Sequence, residues 1–93
     1  MVEVNEYFDG SVKSLEVSAE DGRKTVGVMQ PGEYDFETET TEIMTVVFGE
    51  ISVYYEDEGE WEDYGVGASF DVPAESTLKV KTSQDSVYLC EYE

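Results

Sequence analysis

Short strand-like segments separated by turn residues restrict the fold of this chain more than any other feature. They recur at intervals of roughly eight to twelve residues, which is typical of small all-β proteins. Residues 15–20 alternate apolar and polar side chains as far as Asp21-Gly22, a pair that favours a tight turn between two strands. Apolar residues do not recur at helical spacing over any long segment. We therefore predict an all-β chain in which residues 11–29 form a hairpin.

The alternation also predicts which side chains of a later strand face inward. In residues 33–37, Tyr34 and Phe36 share one face and three carboxylates share the other, because strand side chains have a period of two. Residues 43–48 form an apolar, β-branched run that indicates a buried strand, and we expect residues 51–55 to return as its pairing partner. Further strands are predicted at residues 69–72, 78–82 and 87–92. The total of about eight or nine strands fits a small sandwich or a closed jelly roll.

Residues 56–63 carry six carboxylates together with Gly59 and Trp61. This composition predicts an exposed hairpin loop. A calcium-binding loop is the alternative, but the Asp-x-Asp-x-Asp-Gly spacing of such loops is absent.

The charge balance excludes several classes of function. The chain has 23 Asp and Glu residues against 5 Lys and Arg, a net charge of −18. Because there is no basic patch to release counterions from phosphates, we exclude nucleic acid as a partner. The chain also has no His, so neither a Ser-His-Asp nor a Cys-His catalytic arrangement can be built from it, and the commonest metal ligand is missing.

A length of 93 residues predicts a single domain over residues 1–93. The aromatic content of 13% and the apolar content of 40% exceed those of a disordered tail, so we expect this domain to fold. Cys90 is the lone cysteine and cannot form an internal disulfide. The first residues resemble no secretion signal, and the longest apolar run is short and broken by Thr45. We therefore expect a cytoplasmic protein without a membrane span.

Two spacings in the chain resemble those of the cupin family. Glu42 is followed after six residues by Gly49, as at the end of the first cupin motif, and Gly67 is followed after five residues by Pro73, as in the second. Longer strings then resemble the small pyrimidine/purine nucleoside phosphorylases of bacteria, a group of single-domain cupin-fold chains. These strings are Asn5-Glu6-Tyr7-Phe8-Asp9-Gly10, Val26-Gly27-Val28-Met29, Gly32-Glu33-Tyr34, Glu42-Ile43-Met44-Thr45-Val46 and Tyr88-Leu89-Cys90.

The resemblance implies a single-domain, cupin-like jelly-roll β-barrel. It also implies a pentosyltransferase that converts purine and pyrimidine nucleosides, with inorganic phosphate as co-substrate and no other cofactor, into free base and ribose 1-phosphate. Two positions depart from the family's pattern. Residues 73–76 lack the Gly that usually follows the Pro, and Glu91 lies where relatives often have a basic residue.

The same resemblance bears on metal binding. On the cupin spacing, the positions of the metal-ligating His residues fall on Phe36, Thr38 and Leu78, which cannot supply a ligand set. A shifted register would bring the flanking carboxylates inward, but it would turn both aromatic side chains of that strand into water. Burying a large apolar side chain is worth roughly 1.5–3 kcal/mol, so the register with aromatic residues inside is favoured. We predict a metal-independent enzyme.

Two charged residues are the catalytic candidates. Arg23 has a planar fork that matches phosphate oxygens, and the hydroxyl of Thr25 would assist it; alternatively, Arg23 is a turn residue paired with Glu20 or Asp21. Nucleoside cleavage passes through a cation-like sugar. On the cupin register Glu42 points into the barrel, where its carboxylate would accept hydrogen bonds from ribose hydroxyls and stabilise that charge; alternatively, it faces water at the rim.

Aromatic and flexible side chains supply candidates for base binding. Tyr34, Phe36 and Tyr88 could stack on either type of base, because every base has a π face. Met44 lies on the same strand face as Glu42 and could adapt to bases of two sizes. The alternative for all of them is a place in the hydrophobic core.

Two other functions remain open. The first is a non-enzymatic, metal-free cupin that binds a small ligand such as a sugar or a nucleoside. The second is an acidic protein that mimics nucleic acid, suggested by 54 residues from Thr25 to Leu78 that carry 14 carboxylates and no Lys or Arg. We also expect a homodimer in which the N-terminal strand covers an open sheet edge.

Overall fold

The alternating segments fold into ten β-strands in two antiparallel sheets. The computed structural model describes residues 2–56 and 58–93. Its strands are β1 (Val4–Tyr7), β2 (Val12–Val17), β3 (Lys24–Met29), β4 (Gly32–Glu37), β5 (Glu42–Phe48), β6 (Glu50–Tyr55), β7 (Glu60–Gly65), β8 (Ser69–Val72), β9 (Thr77–Thr82) and β10 (Ser86–Tyr92). A 3-10 turn, Phe8–Gly10, joins β1 to β2. Among the residues that the structure describes, no helix is long and apolar enough to cross a membrane.

The two sheets have different sizes. The larger has the strand order β1-β2-β3-β10-β5-β8 and the smaller the order β4-β9-β6-β7. The predicted hairpin is confirmed as β2 and β3, with Leu15 opposite Val26. The all-β prediction is confirmed as well. Within the described residues strands pair only with neighbours of their own sheet, so the jelly roll is formed by two facing sheets and no hydrogen-bonded barrel closure is detected.

The core lies between the sheets and receives one face of each. The alternation predicted for residues 33–37 is confirmed, because Tyr34 is buried and Phe36 partly buried while the intervening carboxylates are exposed. The larger sheet contributes Val12, Met29, Met44, Val46, Phe70, Val72, Tyr88 and Cys90, and the smaller contributes Tyr34, Ile51, Val53, Leu78 and Val80. Burial of these apolar side chains is the main driving force for folding.

The expected pairing of residues 43–48 with residues 51–55 is wrong. β5 pairs with β10 and β8, whereas β6 pairs with β9 and β7 in the opposite sheet. The chain crosses between the sheets at Gly49, whose φ of +87° lies in the left-handed region. A Cβ at this position would overlap with the hydroxyl of Ser86, so the corner requires glycine. Both strands bury an apolar face, and they do so from opposite sides of the core.

The loop predicted at residues 56–63 is shorter than expected. β7 already begins at Glu60 and pairs with β6, which places Trp61 opposite Tyr54 with 5.4 Å between the ring centroids. Lys81 Nζ lies 3.9 Å from the Trp61 ring centroid, a cation–π contact that fixes the strand further. Asp57, which the prediction also included, lies outside the described residues.

Candidate active site

At one end of the larger sheet, the inward-facing side chains change from apolar to polar. β10 lies between β3 and β5, and it directs Tyr88, Cys90 and Tyr92 inward. The register places Cys90 opposite Thr25 of β3 and places Tyr92 opposite Glu42 of β5. The polar residues gathered at this end are Asn5, Ser14, Glu16, Arg23, Thr25, Glu42, Cys90 and Tyr92. This end of the fold is therefore where polar chemistry is possible beside an apolar core.

A cavity of about 130 Å³ opens among these residues. Its wall on the larger sheet is polar apart from Met44, and its opposite wall is apolar apart from Glu37. The lining residues are Tyr7, Ser14, Phe36, Glu37, Glu42, Met44, Leu78, Val80, Tyr88, Cys90 and Tyr92. An apolar cavity of about 150 Å³ is known to hold benzene, so this cavity has the volume for one ring of a ligand.

An open groove adjoins the cavity and shares Glu37, Glu42 and Tyr92 with it. The groove also contains Arg23, the one cation among its lining residues within the described chain. The complete lining is Gly22, Arg23, Glu37, Glu39, Thr40, Glu42, Tyr92 and Glu93. Glu42 and Tyr92 therefore stand at the boundary between a narrow apolar–polar cavity and a wider charged groove.

The guanidinium group of Arg23 is contacted along one edge by Glu16 and on one face by Tyr92. Its Nε donates to Glu16 Oε1 and its Nη2 to Glu16 Oε2, each at 2.9 Å, and its Cζ lies 4.2 Å from the ring centroid of Tyr92. The expected alternative partners, Glu20 and Asp21, do not take this place. Hydrogen bonds from Arg23 first, and from Asn5 next, lower the pKa of Glu16 to about 2. Because Glu16 occupies two N–H groups, the remaining donors of the guanidinium stay available to a ligand.

Glu42 is half-buried and accepts a hydrogen bond from Cys90, with 3.1 Å between Sγ and Oε1. Cys90 is only 2% exposed. Burial first, and the hydrogen bond to Glu42 second, raise the pKa of Cys90 far above its usual range. The thiol therefore keeps its proton and acts as a donor, which leaves Glu42 Oε2 for other partners.

Two tyrosines of β10 complete the polar wall. Tyr92 Oη lies 3.2 Å from Thr25 Oγ1. Tyr88 is buried, and its ring occupies the space where a Cβ of Gly27 would project, so a glycine in β3 is needed for this placement. Burial raises the pKa of both tyrosines. Both phenols are therefore neutral near pH 7 and can donate hydrogen bonds.

The structure brings most of the predicted site residues together. Glu42, Phe36, Met44 and Tyr88 line the cavity, and Arg23 lines the adjoining groove. Thr25 is buried behind Tyr92 and does not line the described cavity.

Tyr34 is in a different place. Its hydroxyl donates to the carbonyl of Gln30 at 2.7 Å, and its ring packs against Phe8 at a centroid distance of 5.0 Å. Tyr34 is therefore separate from the described cavity wall.

Sequence reasoning missed several residues of the site. Tyr7, Ser14 and Tyr92 line the cavity, Glu16 fixes Arg23, and Asn5 holds Glu16. The period of two along β10 could have identified Tyr92, because it lies two and four residues beyond the inward-facing Cys90 and Tyr88. Glu16 could not be found in this way, since its role depends on how the β2–β3 hairpin closes.

The positions of cupin metal ligands carry no usable donor set here. Phe36 and Leu78 present only carbon to the cavity. Thr38 is buried, and its hydroxyl donates to the carbonyl of Pro73 at 2.7 Å. Among the described residues, no three His, Cys, Asp or Glu side chains are grouped so that they could hold a metal ion.

The two facing sheets and the mixed cavity between them define a cupin-like protein. A cupin from Shewanella frigidimarina, of the RmlC-like type, matches with a TM-score of 0.77 at 19% identity and covers 98% of this chain and 82% of its own. A protein of unknown function from Vibrio parahaemolyticus matches with a TM-score of 0.96 at 42% identity, over 100% of this chain and 99% of its own. The cupin-like fold expected from the sequence is confirmed.

The sequence identifies the family within that class. The family model "Pyrimidine/purine nucleoside phosphorylase" matches residues 2–92. A pyrimidine/purine nucleoside phosphorylase from Pseudomonas savastanoi is 51% identical over 92 residues, which cover 99% of both chains, and one from Pseudomonas fluorescens is 49% identical over 92 residues. The chain belongs to the pyrimidine/purine nucleoside phosphorylase family, as its sequence strings predicted.

Proposed function

We propose that the cavity and the groove together form the active site of a nucleoside phosphorylase that acts on purine and pyrimidine nucleosides. The observation that carries the proposal is the row formed by Arg23, Tyr92 and Glu42 at the ends of three neighbouring strands. Adjacent strands lie about 4.8 Å apart, so the Cα atoms of Arg23 and Glu42 are separated by roughly 10 Å. This spacing suits a phosphate ion beside Arg23 and a pentose beside Glu42.

The reaction needs little more than positioning and placed charge. A phosphate oxygen attacks C1′ of the pentose, the C1′–O bond forms, and the C1′–N bond to the base breaks. The electron pair of that bond leaves with the base, which takes up a proton from water. Holding both reactants in line removes much of the entropic barrier, and fixed charges stabilise the cation-like sugar.

Glu42 has the position required for the sugar. Oε1 is held by Cys90, so Oε2 can accept hydrogen bonds from ribose hydroxyls. The negative charge of the carboxylate also stabilises the positive charge that develops on the sugar. Tyr92, beside Glu42 on the boundary of the cavity, can donate to the same hydroxyls.

Arg23 has the position required for phosphate. The groove also contains Glu37, Glu39 and Glu93, whose charges repel an anion. Phosphate binding therefore depends on the free N–H groups of Arg23. Removing the Arg23 side chain should weaken the binding of phosphate far more than the binding of nucleoside.

Metal independence is part of the proposal. Carbon at Phe36 and Leu78, in place of imidazole nitrogen, supports it. Dialysis against a chelator should leave the rate unchanged, whereas a loss of activity that zinc or manganese restores would contradict it.

The first experiment measures the release of free base from a panel of nucleosides, with and without phosphate. We expect release that requires phosphate and yields ribose 1-phosphate. Arg23→Ala should raise the KM for phosphate at least tenfold with a smaller effect on the KM for nucleoside, and Glu42→Gln should lower kcat. Lys79→Ala is the matched control, because Lys79 pairs with Asp35 at 3.3 Å on the outer face of the smaller sheet. Nucleoside binding without release would favour the alternative, a non-enzymatic ligand-binding cupin.

A homodimer is the second part of the proposal. Four large apolar residues on the outer face of β1–β3 are exposed: Val4, Leu15, Val17 and Val28. The charges beside them are neutralised in pairs, Lys13 with Glu6 at 3.2 Å and Lys24 with Glu91 at 3.1 Å. On a chain of net charge −18, such a face is where a second copy can approach with little repulsion.

Sedimentation analysis tests the homodimer. The wild-type chain should sediment as a dimer, and Leu15→Asp should shift it towards monomer. Val66→Asp is the control, because Val66 is 67% exposed in the turn after β7. A monomeric wild-type protein would contradict the homodimer and leave the enzymatic proposal intact.

A further inference from the structure

The hydrogen bond between Cys90 and Glu42 joins two central strands of the larger sheet across 48 residues of sequence. Cys90 lies in β10 and Glu42 in β5, on strands that pair directly. We propose that Cys90 is a positioning residue for Glu42: its thiol holds Oε1 so that Oε2 is presented to the pentose. This inference rests on the proposed function and assigns a role to the one cysteine of the chain.

The direction of this hydrogen bond is set by the environment of the thiol. Cys90 is almost completely buried, and burial beside a carboxylate disfavours a thiolate. The thiol therefore donates and the carboxylate accepts. A thiol is a weak donor in general, but a charged acceptor strengthens the bond.

The surroundings of Glu42 explain why it needs such a partner. Its side chain stands at the boundary of the cavity and the open groove, where one side faces solvent. Met44, the next inward-facing residue of β5, is apolar and cannot orient a carboxylate. Without the thiol, the side chain of Glu42 would be free to rotate out into the groove, so the thiol reduces the orientational freedom that must be lost before reaction.

The kinetic test compares Cys90→Ala with Cys90→Ser. Alanine removes the donor, and we expect kcat to fall about tenfold with the KM for phosphate within twofold of wild type, because one hydrogen bond of about 1.4 kcal/mol corresponds to a factor of ten. Serine keeps a donor at the same position, and kcat should recover to within about threefold of wild type. Equal kcat values for the two variants, or an unchanged kcat in Cys90→Ala, would overturn the proposal.

Ser86→Ala is the matched control. Ser86 is fully buried at the other end of β10, where its hydroxyl bonds with Thr82 and Glu50. Losing this hydroxyl should lower the thermal stability as much as Cys90→Ala does, without changing kcat. A similar fall in kcat for Ser86→Ala would show that loss of stability, and not the orientation of Glu42, explains the result.

A spectroscopic test does not depend on activity. Since the chain has one cysteine, its infrared spectrum contains a single S–H stretching band. The hydrogen bond to a carboxylate should lower the frequency of that band, and Glu42→Gln should raise it, whereas Glu37→Gln should leave it unchanged. A shifted band in a wild-type protein that shows no phosphorolysis would contradict the proposed function and leave the contact established. An unshifted band in Glu42→Gln would refute the contact itself.

Discussion

Two hydrogen bonds of 2.9 Å join Arg23 to Glu16, from Nε to Oε1 and from Nη2 to Oε2. The pair stands on the inner face of the β2–β3 hairpin, and Asn5 of β1 donates to the same carboxylate at 2.6 Å. Tyr92 covers one face of the guanidinium. The only arginine of the chain is thus fixed directly by Glu16 of β2 and Tyr92 of β10, with Asn5 of β1 holding Glu16, and its other N–H groups remain for a ligand in the groove.

Glu16→Gln should reduce stability at neutral pH but not in acid. The pKa of Glu16 is lowered from 4.5 to about 2, so its stabilising effect is complete above about pH 5 and is lost as the pH falls through about 2. Because Arg23 is more than half exposed, we expect a loss of about 1 kcal/mol or less at pH 7. Urea unfolding at pH 7, 5 and 3 measures the difference, which should shrink towards acid.

Glu6→Gln is the control for that series, since the Glu6–Lys13 pair is largely exposed on both sides. Its effect should be close to zero at every pH. A Glu16→Gln deficit that stays constant down to pH 3 would show that the ion pair is not its source.

Gly27→Ala should displace the ring of Tyr88. A Cβ at position 27 would overlap with that ring, and overpacking of a core costs typically 1–3 kcal/mol. Tyr88→Leu alone also destabilises, because it removes buried area. In the double variant the clash is gone, so the two losses should not add. Denaturant unfolding of all four proteins tests this, and strictly additive losses would contradict the contact.

Glu75→Gly should leave the chain equally stable or make it slightly more stable. Glu75 has a φ of +54°, in the left-handed region that costs a side chain roughly 1–2 kcal/mol and costs glycine nothing. The greater entropy of glycine in the unfolded chain offsets about 0.5–1 kcal/mol of that gain. Glu33→Gly, in the exposed face of β4, should instead destabilise. Thermal unfolding distinguishes the two, and equal losses would argue against strain at Glu75.

Salt should stabilise the folded chain. A net charge of −18 on 93 residues produces self-repulsion, which salt screens over about 10 Å at 0.1 M and over shorter distances at higher concentration. The melting temperature should rise from dilute buffer to molar sodium chloride. Glu60→Lys changes the net charge by two units, so it should raise the melting temperature in dilute buffer and have a smaller effect in high salt. A melting temperature that falls with salt would show that self-repulsion does not control the stability of the chain.

The sequence predicted the faces of strands well because side-chain alternation is a local property. Tyr34 and Phe36 face the core, and Glu42 and Met44 share the inner face of β5, as the period of two requires. The sequence did not predict the pairing partner of β5. Two consecutive buried strands have the same apolar pattern whether they pair with each other or lie in opposite sheets. In the structure the chain changes sheets at the left-handed corner of Gly49, and the crowding of this corner by Ser86 exists only in the folded chain.

By itself, the sequence determined an all-β chain, the family to which it belongs, the absence of histidine chemistry and the strand face that Glu42 shares with Met44. Only the tertiary structure decided which groups meet at the site. Cys90 reaches Glu42, and Tyr92 reaches Arg23, because β10 is inserted between β3 and β5. Contacts between distant segments depend on strand order and register, which are set by how two sheets share one core and not by any local pattern of residues.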